Sequence, residues 1–178
     1  MTTKFSAQRL VGRILPIALC ALLVAGLAGC GFYSLTGATI PAHITTIAVP
    51  LAEDRSVGAP PGLDQRLTDL LIDRFAGRTR LALVANENDA DVVLYAQISR
   101  YGSQPVAVTG GEVAALNRIT ISVDIRYVDR VEDRERLART FAQNESYSAT
   151  DLAQEAPTAE RVLALIADDV FTAATSDW

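Results

Sequence analysis

The sequence has few of the residues that most often carry chemistry. Its 178 residues include two cysteines, Cys20 and Cys30, and a single histidine, His43. A nucleophile with its activating base, or a closed set of metal ligands, would require more such side chains. The pair Gly110-Gly111 lacks the G-x-x-x-x-G-K spacing and a following helical pattern, so it is not a phosphate-binding loop. We therefore expect no enzymatic activity, no cofactor and no metal site.

Basic residues are also in short supply. The whole chain carries 16 lysines and arginines against 21 acidic residues. Three of the basic residues and none of the acidic ones precede residue 30, which leaves 13 basic groups and a formal net charge of −8. A broad nucleic-acid-binding surface would be basic. We expect no nucleic-acid partner.

The N-terminal segment has the order of parts of a signal peptide. Lys4, Arg9 and Arg13 come first, without an acidic residue, and an apolar stretch follows from Ile14 to Leu27. That stretch falls short of the roughly 20 residues that a membrane-spanning helix needs. We expect residues 1–29 to be removed after export through the inner membrane.

The cysteine that follows this stretch predicts a lipid anchor. Residues 27–30 read LAGC, a leucine and two small residues before the cysteine, which resembles the lipobox of bacterial lipoproteins. The thiol of Cys30 would carry the lipid, and several acyl chains, at about 0.8 kcal/mol per buried methylene, hold a protein on its membrane. Gly31 stands where an inner-membrane lipoprotein usually carries Asp. The sequence therefore predicts an outer-membrane lipoprotein with residues 30–44 as its lipidated tether.

Hydrophobic periodicity predicts two helices and a sheet in residues 45–178. One apolar stripe at spacings of three and four runs from Leu63 to Phe75, and a second follows Pro157 and includes Ile166. Alternating apolar residues mark the clearest strand at 119–129. Further strands are predicted at 45–51, 91–101 and 137–147, with an apolar piece at 81–84 and a polar turn at 86–89. This order favours an α+β class, a two-layer α/β roll with two helices packed on a mostly antiparallel four-stranded sheet.

Two polar groups are candidate metal ligands. Glu87, Asp89 and Asp91 alternate, which could give a calcium site, but a polar turn before a strand explains them equally well. His43 follows Pro41 and has no partner that sequence spacing fixes. We favour the polar turn for the carboxylates and a solvated turn residue for the histidine.

Arginines of the last two strands are the candidate ligand-binding residues. Guanidinium groups form bidentate contacts with phosphate or carboxylate. Arg118, Arg126 and Arg130 lie on or beside the strand predicted at 119–129. Acidic residues lie among them, so pairing of charges within the sheet is the alternative interpretation.

Several short sequence segments resemble those of the LptE family of lipoproteins. They are Cys30-Gly31-Phe32-Tyr33-Ser34, Ile40-Pro41, Ile47-Ala48-Val49-Pro50 and Ala90-Asp91-Val92. The resemblance implies an α/β roll that sits as a plug in an LptD-like β-barrel, contacts lipopolysaccharide and helps the barrel to place it in the outer leaflet. Only Cys30 carries over as a functional residue, so the three arginines are assigned to lipopolysaccharide from their chemistry alone.

The stretch from Gly102 to Asn117 is the candidate contact with the barrel. It holds apolar residues, among them Val106 and Val108, in a region expected to be a strand end and a mobile loop. Exposed apolar side chains mark interaction sites, although these residues could instead cap the open end of the core. The alternative function is a free, periplasm-facing lipoprotein that binds a small ligand or an envelope polysaccharide. An envelope hydrolase would need a carboxylate pair, which nothing in the sequence indicates.

Replacing Cys30 by Ala should leave an unlipidated precursor, because the acylated thiol is gone. Metabolic labelling with a palmitate analogue measures this outcome. The Cys20→Ala variant keeps Cys30 and should still be labelled, which makes it the matched control. Label on the Cys30→Ala protein would contradict the lipid-anchor assignment.

Overall fold

Two helices and six strands make up residues 40–106 and 115–176, which are the residues that the structure, a computed structural model, describes. In chain order the elements are β1 (Thr46–Ala48), β2 (Glu53–Asp54), α1 (Leu63–Arg78), β3 (Ala82–Leu83), β4 (Val92–Val106), β5 (Leu116–Asp129), β6 (Arg134–Ser148) and α2 (Glu155–Ser176). Cys30 and Val108 lie outside the described residues. None of the helices in the described part has the length and apolar character to cross a membrane.

The sheet is open and mixed. β4, β5 and β6 form an antiparallel meander, and β1 lies parallel between β3 and β4, which gives the order β3-β1-β4-β5-β6. β2 pairs in parallel with a later part of β4. The α+β class and the two helices are confirmed, but the expected four-stranded sheet has six strands. Three of these strands are two or three residues long, too short to show an alternation of period two.

The hairpin formed by β4 and β5 is longer than the alternation predicts. β4 continues to Val106, β5 begins at Leu116, and these two residues are cross-strand partners. The strand end expected at the start of this stretch therefore covers residues 102–106, and β5 begins at its other end; residues 107–114 lie outside the described residues. The polar residues of this extension, Gly102 to Gln104, have little strand propensity of their own. Backbone pairing with β5 holds them extended.

The two helices begin and end close to where the apolar stripes place them. α1 follows Gly62, whose φ of 87° is a left-handed conformation that glycine adopts without strain. α2 begins at Glu155, so Pro157 lies in its first turn, where a missing N–H removes no helical hydrogen bond. The apolar side chains predicted for the inner helix faces are all buried, namely Leu63, Leu67, Leu70, Leu71, Phe75, Ala159, Val162, Leu163, Ile166, Val170 and Phe171.

Phe75 lies where both helices meet the sheet. Its ring centroid is 5.8 Å from that of Tyr127 on β5 and 5.4 Å from that of Phe171 on α2, the latter edge to face. At the rim of this core Asp168 of α2 accepts a 2.8 Å hydrogen bond from Nε of Arg74 on α1. The aromatic contacts thus join the three elements that the chain places far apart.

An extra residue in β4 reverses which side chains face the core. Ile98 pairs with Val123 and Arg100 with Ser122, so Ser99 is a bulge without its own partner in the register. Before the bulge the even-numbered side chains are buried, whereas after it Tyr101 is buried and Arg100 is exposed. A bulge re-aims the side chains that follow it. Unbroken alternation would have turned Arg100 into the core.

Phe75→Ala and Ile166→Ala should each lower the free energy of unfolding by roughly 2–5 kcal/mol, because each leaves a cavity around a fully buried site. Urea denaturation measures the change. Leu165→Ala is the control on the same helix, since Leu165 is 46% exposed and should cost about 0.5 kcal/mol or less. Unchanged stability in both core variants would contradict this packing.

Candidate functional site

The face of the sheet opposite the two helices, here called the outer face, is the candidate functional site. Near the start of β4 it carries a small apolar cluster of Ala48, Ala90 and Val93, with Val84 against it. Two clefts lie farther along β4 and β5. They contain two of the three arginines that sequence chemistry assigns to a ligand.

The first cleft, of about 230 Å³, lies at the far end of the β4–β5 hairpin. It is lined by Arg100, Gly102, Gln104, Arg118 and Thr120. A Cβ placed on Gly102 would meet nothing within 4 Å, so this glycine leaves the middle of the cleft open. The salt bridges among the described residues use other arginines. Arg100 and Arg118 therefore stand there without an acidic partner from that part of the chain.

The second cleft, of about 390 Å³, contains Arg126, whose charge is already paired. Its Nε lies 3.0 Å from Oε2 of Glu135, and its guanidinium lies 5.7 Å from the ring centroid of Tyr95. The Tyr95 hydroxyl donates to Oε2 of Glu87 at 2.6 Å, and this bond to a carboxylate raises the pKa of Tyr95. Asp124 accepts from Thr140 at 2.6 Å. The lining holds Glu53, Glu87 and Asp124 against Arg55 and Arg126, so acidic groups outnumber basic ones in this cleft.

The three candidate arginines do not form one site. Arg118 and Arg126 share the outer face of β5 but are eight residues apart, about 26 Å along a strand. Arg130 follows β5 and donates to the backbone carbonyl of Glu87. Charge pairing, the alternative interpretation, thus describes Arg126. Arg118 is the one of the three in a cleft whose described lining has no acidic side chain, here called the acid-free cleft.

A separate polar cluster surrounds Asp129, the last residue of β5, whose side chain is fully buried. Oδ2 of Asp129 lies 3.0 Å from Nε2 of His43 and accepts a 2.9 Å bond from Arg136. Oδ1 accepts the backbone N–H groups of Val131 and Glu132. His43 is an exposed residue of a turn, and the fold also brings it a hydrogen-bond partner from 86 positions away.

An arginine, Arg136, pairs with both carboxylates of the Asp129 cluster. Single ligand atoms of His43, Asp129 and Glu132 lie within 4.8 Å of one another, a spacing that could suit a metal ion. Arg136, however, binds both carboxylates, at 2.9 Å and 2.7 Å. Burial alone would raise the pKa of Asp129, but hydrogen bonds from His43, the Glu132 amide and Arg136 lower it to about 2. The guanidinium already supplies the positive charge that a metal ion would bring.

The segment before β1 is held by two further polar contacts. Nη2 of Arg80 donates to the carbonyls of Ile40, Pro41 and Ile44 at 3.0, 2.6 and 3.4 Å. On the other side Asp91 accepts from the Thr45 amide at 2.8 Å, and that bond chiefly lowers the pKa of Asp91. Together with His43 these contacts fix the entry of the chain into the sheet.

The carboxylates Glu87, Asp89 and Asp91 do not converge on one point. Glu87 accepts from Tyr95, and Asp91 accepts from the Thr45 and Thr46 amides. Residues Glu87–Asp89 form a 3₁₀ turn capped by the side chain of Asn86. The polar turn is present as a 3₁₀ turn, and the carboxylates of Glu87 and Asp91 accept hydrogen bonds from separate partners.

The lipopolysaccharide-assembly family LptE matches residues 44–174 of this chain, from the segment before β1 almost to the end of α2. The chain belongs to the LptE family. Among curated proteins, none matches the sequence.

Solved structures share this LptE fold at low identity. A protein from Xanthomonas campestris has 19% identity and a TM-score of 0.54, covering 77% of this chain and 90% of its own. Lipoprotein B from Nitrosomonas europaea has 11% identity and a TM-score of 0.53, with 83% and 91% covered. PelC from Paraburkholderia phytofirmans has 12% identity and a TM-score of 0.52, with 78% and 94% covered. Such identities show the fold alone.

One residue of the acid-free cleft in this LptE chain was not among the candidates from sequence. Arg100 follows Ile98 by two positions, and simple alternation would place it with the buried residues of β4. The sequence does contain a signal for it. Simple alternation would bury the charge of this arginine without a partner, which is energetically costly. Such a conflict indicates a bulge before the arginine.

Asp129 should make the stability of the protein sensitive to acid. Its pKa of about 2 in the folded state lies below the ordinary 3.8, so its contribution of about 2 kcal/mol is present above pH 4 and is lost as pH falls toward about 2. Urea denaturation should show Asp129→Asn to be less stable near pH 6, with a difference that narrows on acidification. Asp69→Asn, a change at an exposed carboxylate of α1, should show little difference at either pH. A gap for Asp129→Asn that stays constant with pH would contradict the assignment.

Proposed function

We propose that this chain is an outer-membrane lipoprotein, held by lipid on Cys30, that acts as plug and assembly subunit of a lipopolysaccharide translocon. Its partner would be an LptD-like β-barrel, which it helps to place lipopolysaccharide in the outer leaflet. The family match over residues 44–174 carries the proposal. Membership of the family makes the chain a lipopolysaccharide-assembly protein. The lipid anchor, the barrel partner and the role as a plug are what we propose in addition.

The chemistry of the polar clusters supports a role in assembly. Among the described residues, the ring of His43 is hydrogen-bonded to the carboxylate of Asp129 and to no hydroxyl group. Activation of a hydroxyl by histidine requires the two side chains within hydrogen-bond reach. The family and the site chemistry therefore both favour a binding and structural function over catalysis.

The outer face of β6 supports contact with the wall of a barrel. Its side chains are small or uncharged, namely Ala138, Thr140, Ala142, Asn144 and Ser146, and their partners in the register lie on the outer face of β5. Short side chains on an extended strand let another backbone approach closely. The interior of a transmembrane barrel is polar, and hydroxyl and amide groups match such a wall.

The end of the β4–β5 hairpin supports the partner contact proposed at Val106 and Val108. Val106 is the last residue of β4, is partly exposed and pairs with Leu116 of β5. A half-buried valine at the tip of a hairpin can pack on a partner with little rearrangement of the core. Its neighbour Val108 lies outside the described residues.

The full chain should co-purify with a large β-barrel from detergent-solubilised outer membranes. The Val106→Asp/Val108→Asp variant should reduce the yield of barrel several-fold, because a charge is costly in an apolar contact, while its circular dichroism stays unchanged. Val57→Asp is the matched control, since Val57 is 90% exposed and far along the chain from this hairpin.

The possible results separate the alternatives. Isolation of the chain without any barrel partner would contradict the translocon role and favour a free ligand-binding lipoprotein. An undiminished barrel yield for the double valine variant would exclude the hairpin end as the contact. Loss of its circular dichroism signal would assign these valines to the core instead.

A further inference from the structure

We propose that the free edge of β6 is the interface of a symmetric dimer, in which β6 pairs antiparallel with β6 of a second copy of this chain. β6 is the last strand in the order of the sheet, and within residues 40–106 and 115–176 no strand lies on its other side. Its 15 residues include neither proline nor lysine, the residues that commonly protect an exposed edge. This edge is therefore open to pairing with a further strand.

The backbone groups at this edge belong to the even-numbered residues of β6. The Ala149 amide donates to the Ala115 carbonyl at 2.8 Å, and from there to Leu137 the register with β5 is unbroken. Alternate residues of a strand bond to alternate sides, so the odd-numbered residues bond to β5. The residues that direct N–H and C=O groups to the free edge carry short, uncharged side chains on the outer face, namely Ala138, Thr140, Ala142, Asn144 and Ser146.

Charge selects the register of the strand pair. Around a two-fold axis the even-numbered residues of one copy pair with the even-numbered residues of the other. An axis at Ala142 places Arg139 directly opposite Glu145 of the second copy, and opposite charges in such a pair are stabilising. An axis at Thr140 or Asn144 would instead place Arg139 opposite an uncharged residue. The charges of β6 therefore favour the axis at Ala142.

Arg139 lacks a carboxylate partner within the described part of the chain. Its side chain is exposed, its guanidinium lies 4.4 Å from the ring centroid of Phe141, and the salt bridges of the described residues do not include it. Glu145 accepts from Nε of Arg161 at 2.9 Å and is 35% exposed. A carboxylate can accept about four hydrogen bonds. Glu145 can therefore bind a second guanidinium from the other copy.

An exposed leucine of α2 lies at the same level as this axis. α2 runs back along β6, because Tyr147 donates to Glu155 at the start of the helix and Arg139 lines a groove of about 440 Å³ with Thr172 near its end. Leu165 is midway between these two contacts and is therefore level with the middle of β6. Its side chain is 46% exposed. In the dimer Leu165 meets the same residue of the second copy, which removes both side chains from water.

The neighbours of Leu165 on α2 show that it faces β6 and carry a second pair of charges. Arg161 and Asp169, one turn before and after it, contact Glu145 and Gln143 of β6. Residues four apart share one face of a helix. An axis beside Leu165 therefore places Arg161 of one copy opposite Asp169 of the other. A single two-fold axis thus pairs opposite charges on the strand and on the helix, which is the self-complementarity that a symmetric interface requires.

Disulfide cross-linking of the full chain in detergent tests the position of the axis. Ala142→Cys should give a disulfide-linked dimer on mild oxidation, because directly paired Cα atoms lie about 5.5 Å apart, within the reach of a disulfide. Thr140→Cys and Asn144→Cys should each fail to link to themselves, since equivalent positions would be about 13 Å apart. A mixture of these two variants should cross-link. The parent chain, with Cys20 and Cys30, is the control for other thiols.

Sedimentation velocity in a density-matched detergent tests the contacts. Arg139→Glu and Glu145→Arg should each weaken the dimer about a hundredfold, because each variant places like charges opposite each other twice. An equal mixture of the two should restore it, since every pair in the mixed dimer is of opposite charge. Leu165→Asp should weaken the dimer at least about tenfold. Leu83→Asp is its matched control, because Leu83 is also 46% exposed but lies on β3 at the other edge of the sheet.

A parent chain that stays monomeric up to about 100 µM, the weak end of specific association, would overturn the dimer. Cross-linking of Thr140→Cys to itself as readily as Ala142→Cys would overturn the axis. A link from Ala142→Cys to a barrel and to no second copy would assign the edge to that partner and also overturn the dimer. The proposal does not rest on the translocon role, since the dimer leaves the outer face uncovered. Dimerisation without any barrel partner would support the dimer and remove only that role.

Discussion

The buried carboxylate of Asp129 is the interaction on which several parts of this fold depend. A charge without solvent is tolerated only when hydrogen bonds and an opposite charge surround it. Here the N-terminal segment supplies His43, the following turn supplies two amides, and β6 supplies Arg136. The turn includes Asp133 at a φ of 49°, a left-handed conformation. The carboxylate of Asp129 thus binds the tight turn, the start of β6 and the segment that precedes β1.

Long elements with a regular apolar period were predictable. The stripes of α1 and α2 and the alternation of β5 follow directly from burial on one face, and their side chains are buried as expected. The short strands β1, β2 and β3 were not, because two or three residues carry no period. β1 and β2 form because the edge of β4 offers them backbone partners, and β3 pairs in turn with β1. Pairing of this kind is a property of the assembled sheet.

The site was predictable only in part, for a similar reason. Arg118 lies on a strand with unbroken alternation, so its outward direction could be read from the sequence. The direction of Arg100 depends on a bulge, and the role of His43 depends on a partner 86 residues away. Arg126 was grouped with Arg118 only because both side chains carry a guanidinium group. In the structure the two lie far apart along β5, and Arg126 is hydrogen-bonded to Glu135. The sequence gives the type of each residue and its spacing indicates the face on which it lies. Which side chains come into contact depends on the assembled fold.

The contacts of Arg80 have a mechanical consequence for a protein tethered by its N-terminus. If Cys30 carries lipid, nine residues lie between the anchor and Ile40, which can span at most about 35 Å of extended chain. Tension on this tether would first act on two contacts. One joins the guanidinium of Arg80 to the carbonyls of Ile40, Pro41 and Ile44, and the other is the hydrogen bond between His43 and Asp129. Both contacts hold residues that precede Thr46, the first residue of β1. Force would pass through Arg80 into the segment between α1 and β3 and through Asp129 into the end of β5. The three-residue β1 would thereby be protected from separating from the sheet.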